Sequence, residues 1–116
     1  DRFPVERLRQ EPFIEFLPGQ ETDNSRMLQQ LQIRPKVRFA TSDSRAAIAM
    51  VRAGLGITLL NDILTADLAD GVAVLPLDPP QSVHLGIALP EEEHVSPAAK
   101  RFITYALDRL PELDVL

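Results

Sequence analysis

The stretch from Thr41 to Leu60 constrains the fold more than any other part of this chain. Ser42 or Asp43 offers an N-cap oxygen to the first free N–H groups of a helix. Ala46, Ala47, Met50, Val51 and Gly54 then fall on one side, while Arg45 and Arg52 share a solvent face. Gly54 stands where helices commonly end in a left-handed residue that glycine adopts at little cost. Ile57-Thr58-Leu59-Leu60 follows as a buried strand. A capped helix, a glycine stop and an apolar strand in direct succession form one half of an alternating β and α pattern.

The flanking sequence extends that pattern. Phe13-Ile14-Glu15-Phe16-Leu17, bounded by Pro12 and Pro18-Gly19, predicts a strand, and Thr22 or Asp23 caps a helix over about 23–33 carrying Met27, Leu28 and Leu31. Pro35 ends that helix, and Val37-Arg38-Phe39-Ala40 alternates as a half-buried strand. A short helix near 62–69 and a strand at Val72–Leu77 complete the series, which argues for α/β architecture, a mixed sheet with helices on both faces. Asp78-Pro79-Pro80 is a break. Beyond it, Val83–Leu89 reads as a long strand. A last helix starts with Ser96 as cap and Pro97 at its first position, and carries an apolar stripe of Ala99, Phe102, Ile103, Ala106 and Leu110.

Composition excludes several function classes. The 116 residues are 45% hydrophobic and 25% charged, so a packed core is expected. Net charge is −5, and the local cluster Arg2, Arg7 and Arg9 is interrupted by Glu6 and Glu11, which argues against direct contact with nucleic acid. The chain has no cysteine, which removes disulfides, thiolate metal sites and a cysteine nucleophile together, and fits a reducing compartment. No apolar stretch approaches the ~20 residues of a membrane span.

Chemical motifs are sparse. Gly54-Leu55-Gly56 follows a helix and precedes a strand, the reverse of a dinucleotide loop, and Leu59 stands where a third glycine would be needed. In Glu91-Glu92-Glu93-His94, consecutive loop residues are expected to point apart, and no second histidine lies at ligand spacing, so no metal is assigned. His84 reads as an ordinary strand histidine. Ser42, Ser44, Asp43 and His84 hold the residue types of a triad without a Gly-x-Ser-x-Gly turn. No catalytic constellation and no cofactor motif is present in the sequence, and the reading is not an enzyme.

What remains is polar residues where strands end and helices begin. Pro18-Gly19-Gln20-Glu21-Thr22 joins the first strand to its helix, and Thr41-Ser42-Asp43 does so for the second. Ligands of open α/β sheets bind where such loops leave the carboxyl ends of strands, and helix-start N–H groups favour acceptor oxygens.

The segment Ala46–Leu60, a helix ending in Val-x-x-Gly-x-Gly-Ile before an apolar strand, resembles the effector domains of LysR-type transcription regulators. Val5-Glu6-Arg7-Leu8 followed by Glu11-Pro12-Phe13-Ile14 is similar to the family's entry into its second lobe. Gly71–Leu77 and Ser96–Ile103 resemble its closing strand and last helix. One departure is Asn61, where the family usually has proline; it either alters the loop beside the cleft or caps the next helix.

The resemblance implies one lobe of a type 2 periplasmic-binding-protein-like fold, with residues 1–82 as the second lobe and 83–116 as a return strand and helix directed toward a first lobe. It also implies a winged helix-turn-helix and a linker helix, which this stretch does not carry, its start reading like a mid-chain cut. On this basis Thr41 and Ser42 are the first candidates for hydrogen bonds to a small-molecule effector, Gln20 and Thr22 the next, with Leu60 and Asn61 lining the cleft wall. DNA contact falls to the helix-turn-helix, localisation is cytoplasmic, and the chain alone is expected to bind its effector weakly. The apolar stripe of the last helix, or the edge of strand 83–89, is expected to drive self-association. The alternative is a lobe of a periplasmic solute-binding protein, which shares the architecture.

Overall fold

The structure, a computed structural model, describes residues 1–67, 70–84 and 86–110, with Glu92 described by its backbone alone. The chain forms two compact units, Asp1–Val83 and His84–Leu116.

The first unit is built around strand β2, Pro12–Phe16. Strand β3, Lys36–Thr41, pairs with it in parallel from Pro12 opposite Lys36 to Phe16 opposite Thr41. Between Phe13 and Ile14 the register shifts, because β3 inserts Arg38 as an extra residue. On the other edge Ile57 bridges to Phe13, also in parallel. Ile57 N–H donates to Pro12 O at 2.9 Å, and Ile14 N–H donates to Ile57 O at 2.8 Å. A second parallel pair joins strand β1, Phe3–Pro4, to β4, Leu77–Asp78.

Adjacent strand residues point to opposite faces, so Phe13 and Ile14 serve two different packing layers. Phe13 is buried with Val5, Leu8 and Ile33, and Leu28 of helix α1, Asp23–Gln30, and its C-cap residue Leu31 pack against this cluster. Val5 and Leu8 reach it from a 3₁₀ turn, Val5–Arg9. Helix α2, Ser44–Arg52, packs on β2 and β3 and buries Ala47 and Ile48, on the face served by the fully buried Ile14. The buried line of α2 thus runs through Ile48, which lay outside the face expected from the sequence. Arg7 pairs with Glu11 and Arg9 with Glu6, so two cations of the N-terminal cluster are already neutralised.

Both long helices of this unit end in the same motif. After α2, Gly54 takes φ +79, its N–H donates to Val51 O, and Leu55 N–H donates to Met50 O. After α1, Gln32 takes φ +55, its N–H donates to Gln29 O, and Ile33 N–H donates to Leu28 O. The helix expected over about 23–33 therefore stops at Gln30, turned by buried Ile33 and half-buried Leu28 rather than by Pro35.

Other expected elements are shorter. Among the described residues, the strand expected at 57–60 makes one bridge, to Phe13 of β2. Of Val72–Leu77, only Leu77 belongs to a strand; Pro76 has no N–H to give, and Val74 and Leu75 are exposed. Helix α3 spans Asp62–Thr65, and residues 68–69 of the expected helix lie outside the described residues. β3 was expected to be half-buried, yet Val37 and Phe39 are exposed, because β3 is the outer strand of its sheet.

In the second unit, the described residues of the expected strand 83–89 form no ladder, and Leu85 lies outside the described residues. No strand is described in this unit to pair with it. Helix α4, Pro97–Arg109, starts as expected: Ser96 Oγ accepts from Ala99 N–H at 3.1 Å, and Pro97 is at the first position. None of its residues is buried, and Phe102 is 69% exposed.

A side chain at left-handed φ costs about 1 kcal/mol or more relative to glycine. Gln32→Gly is therefore expected to raise unfolding free energy by up to ~1 kcal/mol, with an upward shift of the urea midpoint and an unchanged slope. A lowered midpoint would show that the Gln32 side chain makes a contact worth more than the strain.

Candidate functional edge of the sheet

Parallel pairing brings the carboxyl ends of β2, β3 and segment 57–60 to one edge. There Leu17 N–H donates to Thr41 O at 2.9 Å, locking the two strand ends side by side. Leu17 itself turns through φ +55, Gly19 follows at φ +74, and Gln20 N–H donates back to Leu17 O at 3.2 Å. The chain then enters α1 through a capping box: Thr22 Oγ1 accepts from Ser25 N–H at 3.1 Å, and Ser25 Oγ accepts from Thr22 N–H at 2.8 Å. Of the two caps offered by the sequence, Thr22 is used and Asp23 is the first helical residue.

At the start of α2 the choice falls on Asp43. Its Oδ1 accepts from Arg45 N–H at 2.8 Å and Ala46 N–H at 3.2 Å, while Thr41 Oγ1 accepts from Asp43 N–H at 3.2 Å. Ser42 is left exposed, and its hydroxyl makes no hydrogen bond among the described residues. The third strand end leads into α3, where Asn61 Oδ1 accepts from Leu64 N–H at 3.0 Å. Asn61 thus acts as a cap, one of the two roles its departure from proline left open.

All six residues singled out from sequence lie on this edge, but in different chemical states. Thr22 and Asn61 have committed a side-chain oxygen to helix caps. Thr41 is half-buried and accepts a hydrogen bond, keeping its hydroxyl proton to donate. Ser42 and Gln20 are exposed and uncommitted among the described residues. Leu60 is half-buried and supplies apolar surface. Of the helix-start N–H groups expected to favour an acceptor oxygen, those of Arg45 and Ala46 are taken by Asp43 at α2 and that of Ser25 by Thr22 at α1. Arg26 sits between Glu21 at 3.2 Å and Asp23 at 3.6 Å, exposed pairs that contribute little.

Sequence reading missed Asn24, whose Nδ2 donates to Leu59 O at 2.9 Å across this edge. An asparagine in the first turn of a helix reads as one more capping residue, and nothing in the sequence pairs it with Leu59. Outside the edge, a 3₁₀ turn at Glu92–His94 gathers ligand atoms of Glu91, Glu93 and His94 within 4.8 Å of one another. The expectation that they point apart is corrected: Glu91 and His94, three apart, eclipse in such a turn, and Glu93 Oε1 lies 3.9 Å from His94 Nδ1. All three are exposed, and acidic groups converge in this way on many surfaces without an ion.

The chain matches the family described as LysR substrate binding domain over residues 1–111, and it belongs to that family. No curated protein and no solved structure matches it. Its fold is of the type 2 periplasmic-binding-protein-like class, the described part being mixed α/β with parallel strands. The family is the effector-binding domain of LysR-type regulators, regulatory rather than enzymatic. No helix among the described residues is long and apolar enough to cross a membrane.

The division between capping and uncommitted groups has a direct test. Thr22→Ala is expected to cost about 1 kcal/mol of stability through loss of the cap. Ser42→Ala is expected to stay within ~0.5 kcal/mol of the wild type in the same urea titration. Equal losses would show that Ser42 carries a structural bond.

Proposed function

We propose that this chain senses a small molecule at the carboxyl edge of its sheet and passes that signal to transcription. The observation that carries the reading is the family match over residues 1–111, joined to an edge where Ser42 and Gln20 are left uncommitted beside half-buried Thr41 and Leu60. Thr41, Ser42, Gln20 and Thr22 supply hydrogen bonds to the effector, and Leu60 and Asn61 form the wall. Residues 1–82 act as the second lobe of the effector domain, and 83–116 as the segment returning toward a first lobe. DNA is held by another part of a cytoplasmic regulator. Effector binding favours one arrangement of that regulator over another, and ~1–3 kcal/mol of coupling is enough for such a shift.

Screening metabolites by amide chemical shifts tests the reading. A binder is expected to move the amides of Leu17–Thr22 and Thr41–Ser44, with affinity falling roughly fivefold in Ser42→Ala, the worth of one neutral hydrogen bond. Binders whose shifts map only elsewhere would overturn it.

We propose further that the chain associates with itself through α4. Phe102, Tyr105 and Leu107 are each more than half exposed, and apolar surface left in water costs about 25 cal/mol per Å². The 83–89 segment, the other surface expected to associate, forms no ladder within the chain among its described residues. Sedimentation is expected to show a concentration-dependent dimer that Phe102→Asp converts to monomer. A wild type that stays monomeric at high concentration sinks this idea.

A further inference from the structure

We infer that Asn24 is a positioning residue of the effector edge, the brace that fixes the wall carrying Leu60 and Asn61 against the loop carrying Gln20 and Thr22; this rests on the effector reading above. The three strand ends on this edge are not held alike. β3 is joined to β2 through a ladder that runs to its last residue, Thr41 opposite Phe16. Segment 57–60 has a single bridge near its start, at Ile57, followed by Thr58 Oγ1 donating to Ile14 O at 2.8 Å. Asn61 bonds only forward into α3, and among the described residues the one hydrogen bond made by Leu59 and Leu60 is that from Asn24 Nδ2 to Leu59 O, at 2.9 Å.

The other end of the brace is firmly placed. Asn24 is half-buried in the first turn of α1, two residues after Thr22. That helix is fixed at its start by the Thr22–Ser25 capping box and at its end by Leu28 and Ile33 in the core. The brace therefore joins a rigid element of the edge to a loosely paired one. It also has the chemistry the position demands. A carbonyl oxygen needs a donor, which an amide supplies; an ionised carboxylate of the same shape supplies none and sets charge against the carbonyl dipole. One neutral hydrogen bond shifts an equilibrium only several-fold. The wall is thus held in place yet can be moved by an effector that changes how α1 and Leu59 meet.

Amide order parameters of the free chain test this. In Asn24→Ala, Leu60 and Asn61 are expected to fall from about 0.85, the value of rigid backbone, toward about 0.6, while Leu17, Thr41 and Ala47 stay unchanged. Asn24→Asp is expected to loosen the same two residues at neutral pH and to recover on acidification, compared with wild type at each pH, because the protonated carboxyl regains a donor. A role of Asn24 that does not depend on its donor to Leu59 O gives no such recovery. Unchanged order parameters at Leu60 and Asn61 in both variants, or an equal loss across β2, β3 and α2, would overturn the inference. If Asn24→Ala does not fold, the isosteric Asn24→Asp variant carries the test through its pH dependence. No ligand enters these readouts, so a lost brace leaves the effector reading standing, and a failed Ser42→Ala binding test leaves the brace standing.

Discussion

Ile57 donates to the Pro12 carbonyl and accepts from Ile14, and this pair of bonds requires the backbone at Gly56 to pass very close to β2. A Cβ on Gly56 would lie 2.4 Å from Pro12 O, inside any tolerable contact. With glycine there, β2 gains a neighbour on its second edge and becomes the middle strand of three parallel segments. A middle strand can bury both faces, and only then do Phe13 and Ile14, adjacent in sequence, both reach a buried environment. The close approach at Gly56 is therefore what allows α1 and α2 to cover opposite faces of one short sheet.

Helices on opposite faces have a consequence for the edge. The chain leaves β2 toward one face through Leu17–Thr22 and leaves the adjacent β3 toward the other through Ser42–Asp43. Two neighbouring parallel strands whose connections part in this way open a crevice between their carboxyl ends, the place where open α/β sheets take ligands. Leu17 N–H bonded to Thr41 O ties the two strand ends together at that point. The segment after Gly56, anchored to β2 only near its start, supplies a third side.

The sequence made the most of its local signals where one residue type has one physical use. Gly54 as a helix stop, Ser96-Pro97 as a helix start and the strand around Phe13-Ile14 need no knowledge of the rest of the chain, and all three are found. Signals that depend on a partner were legible only in part. Ile57–Leu60 and Val72–Leu77 have strand composition, but hydrogen bonding depends on what lies alongside, and there the ladders shrink to one bridge and a two-residue strand. Gln32 in a left-handed turn could not be read at all, because the turn is imposed by Leu28 and Ile33 meeting in the core rather than by Gln32. The same split runs through the edge: the placement of the six candidate residues at strand ends was legible from loop position, whereas the bond of Asn24 was not, since its partner Leu59 is distant in sequence.

Under the effector reading proposed above, the way the caps are used narrows how this edge would recognise a ligand. An anion held by a helix start needs free N–H groups and an uncompensated dipole. Here Asp43 takes two N–H groups of α2 and places its own negative charge there, and at α1 Thr22 takes the Ser25 N–H, with the acidic Asp23 in the first turn. Beside the paired charges of Arg26, Glu21 and Asp23, the edge offers the Ser42 hydroxyl, the Gln20 amide, the proton of Thr41 and the amide hydrogens of Asn61, neutral and directional groups spread over three strand ends. Recognition by such groups depends on where they stand more than on net charge, because a hydrogen bond weakens steeply once its geometry is lost. A site of that kind is sensitive to small displacements between its sides. In this chain the least firmly paired side is the one that carries Leu60 and Asn61.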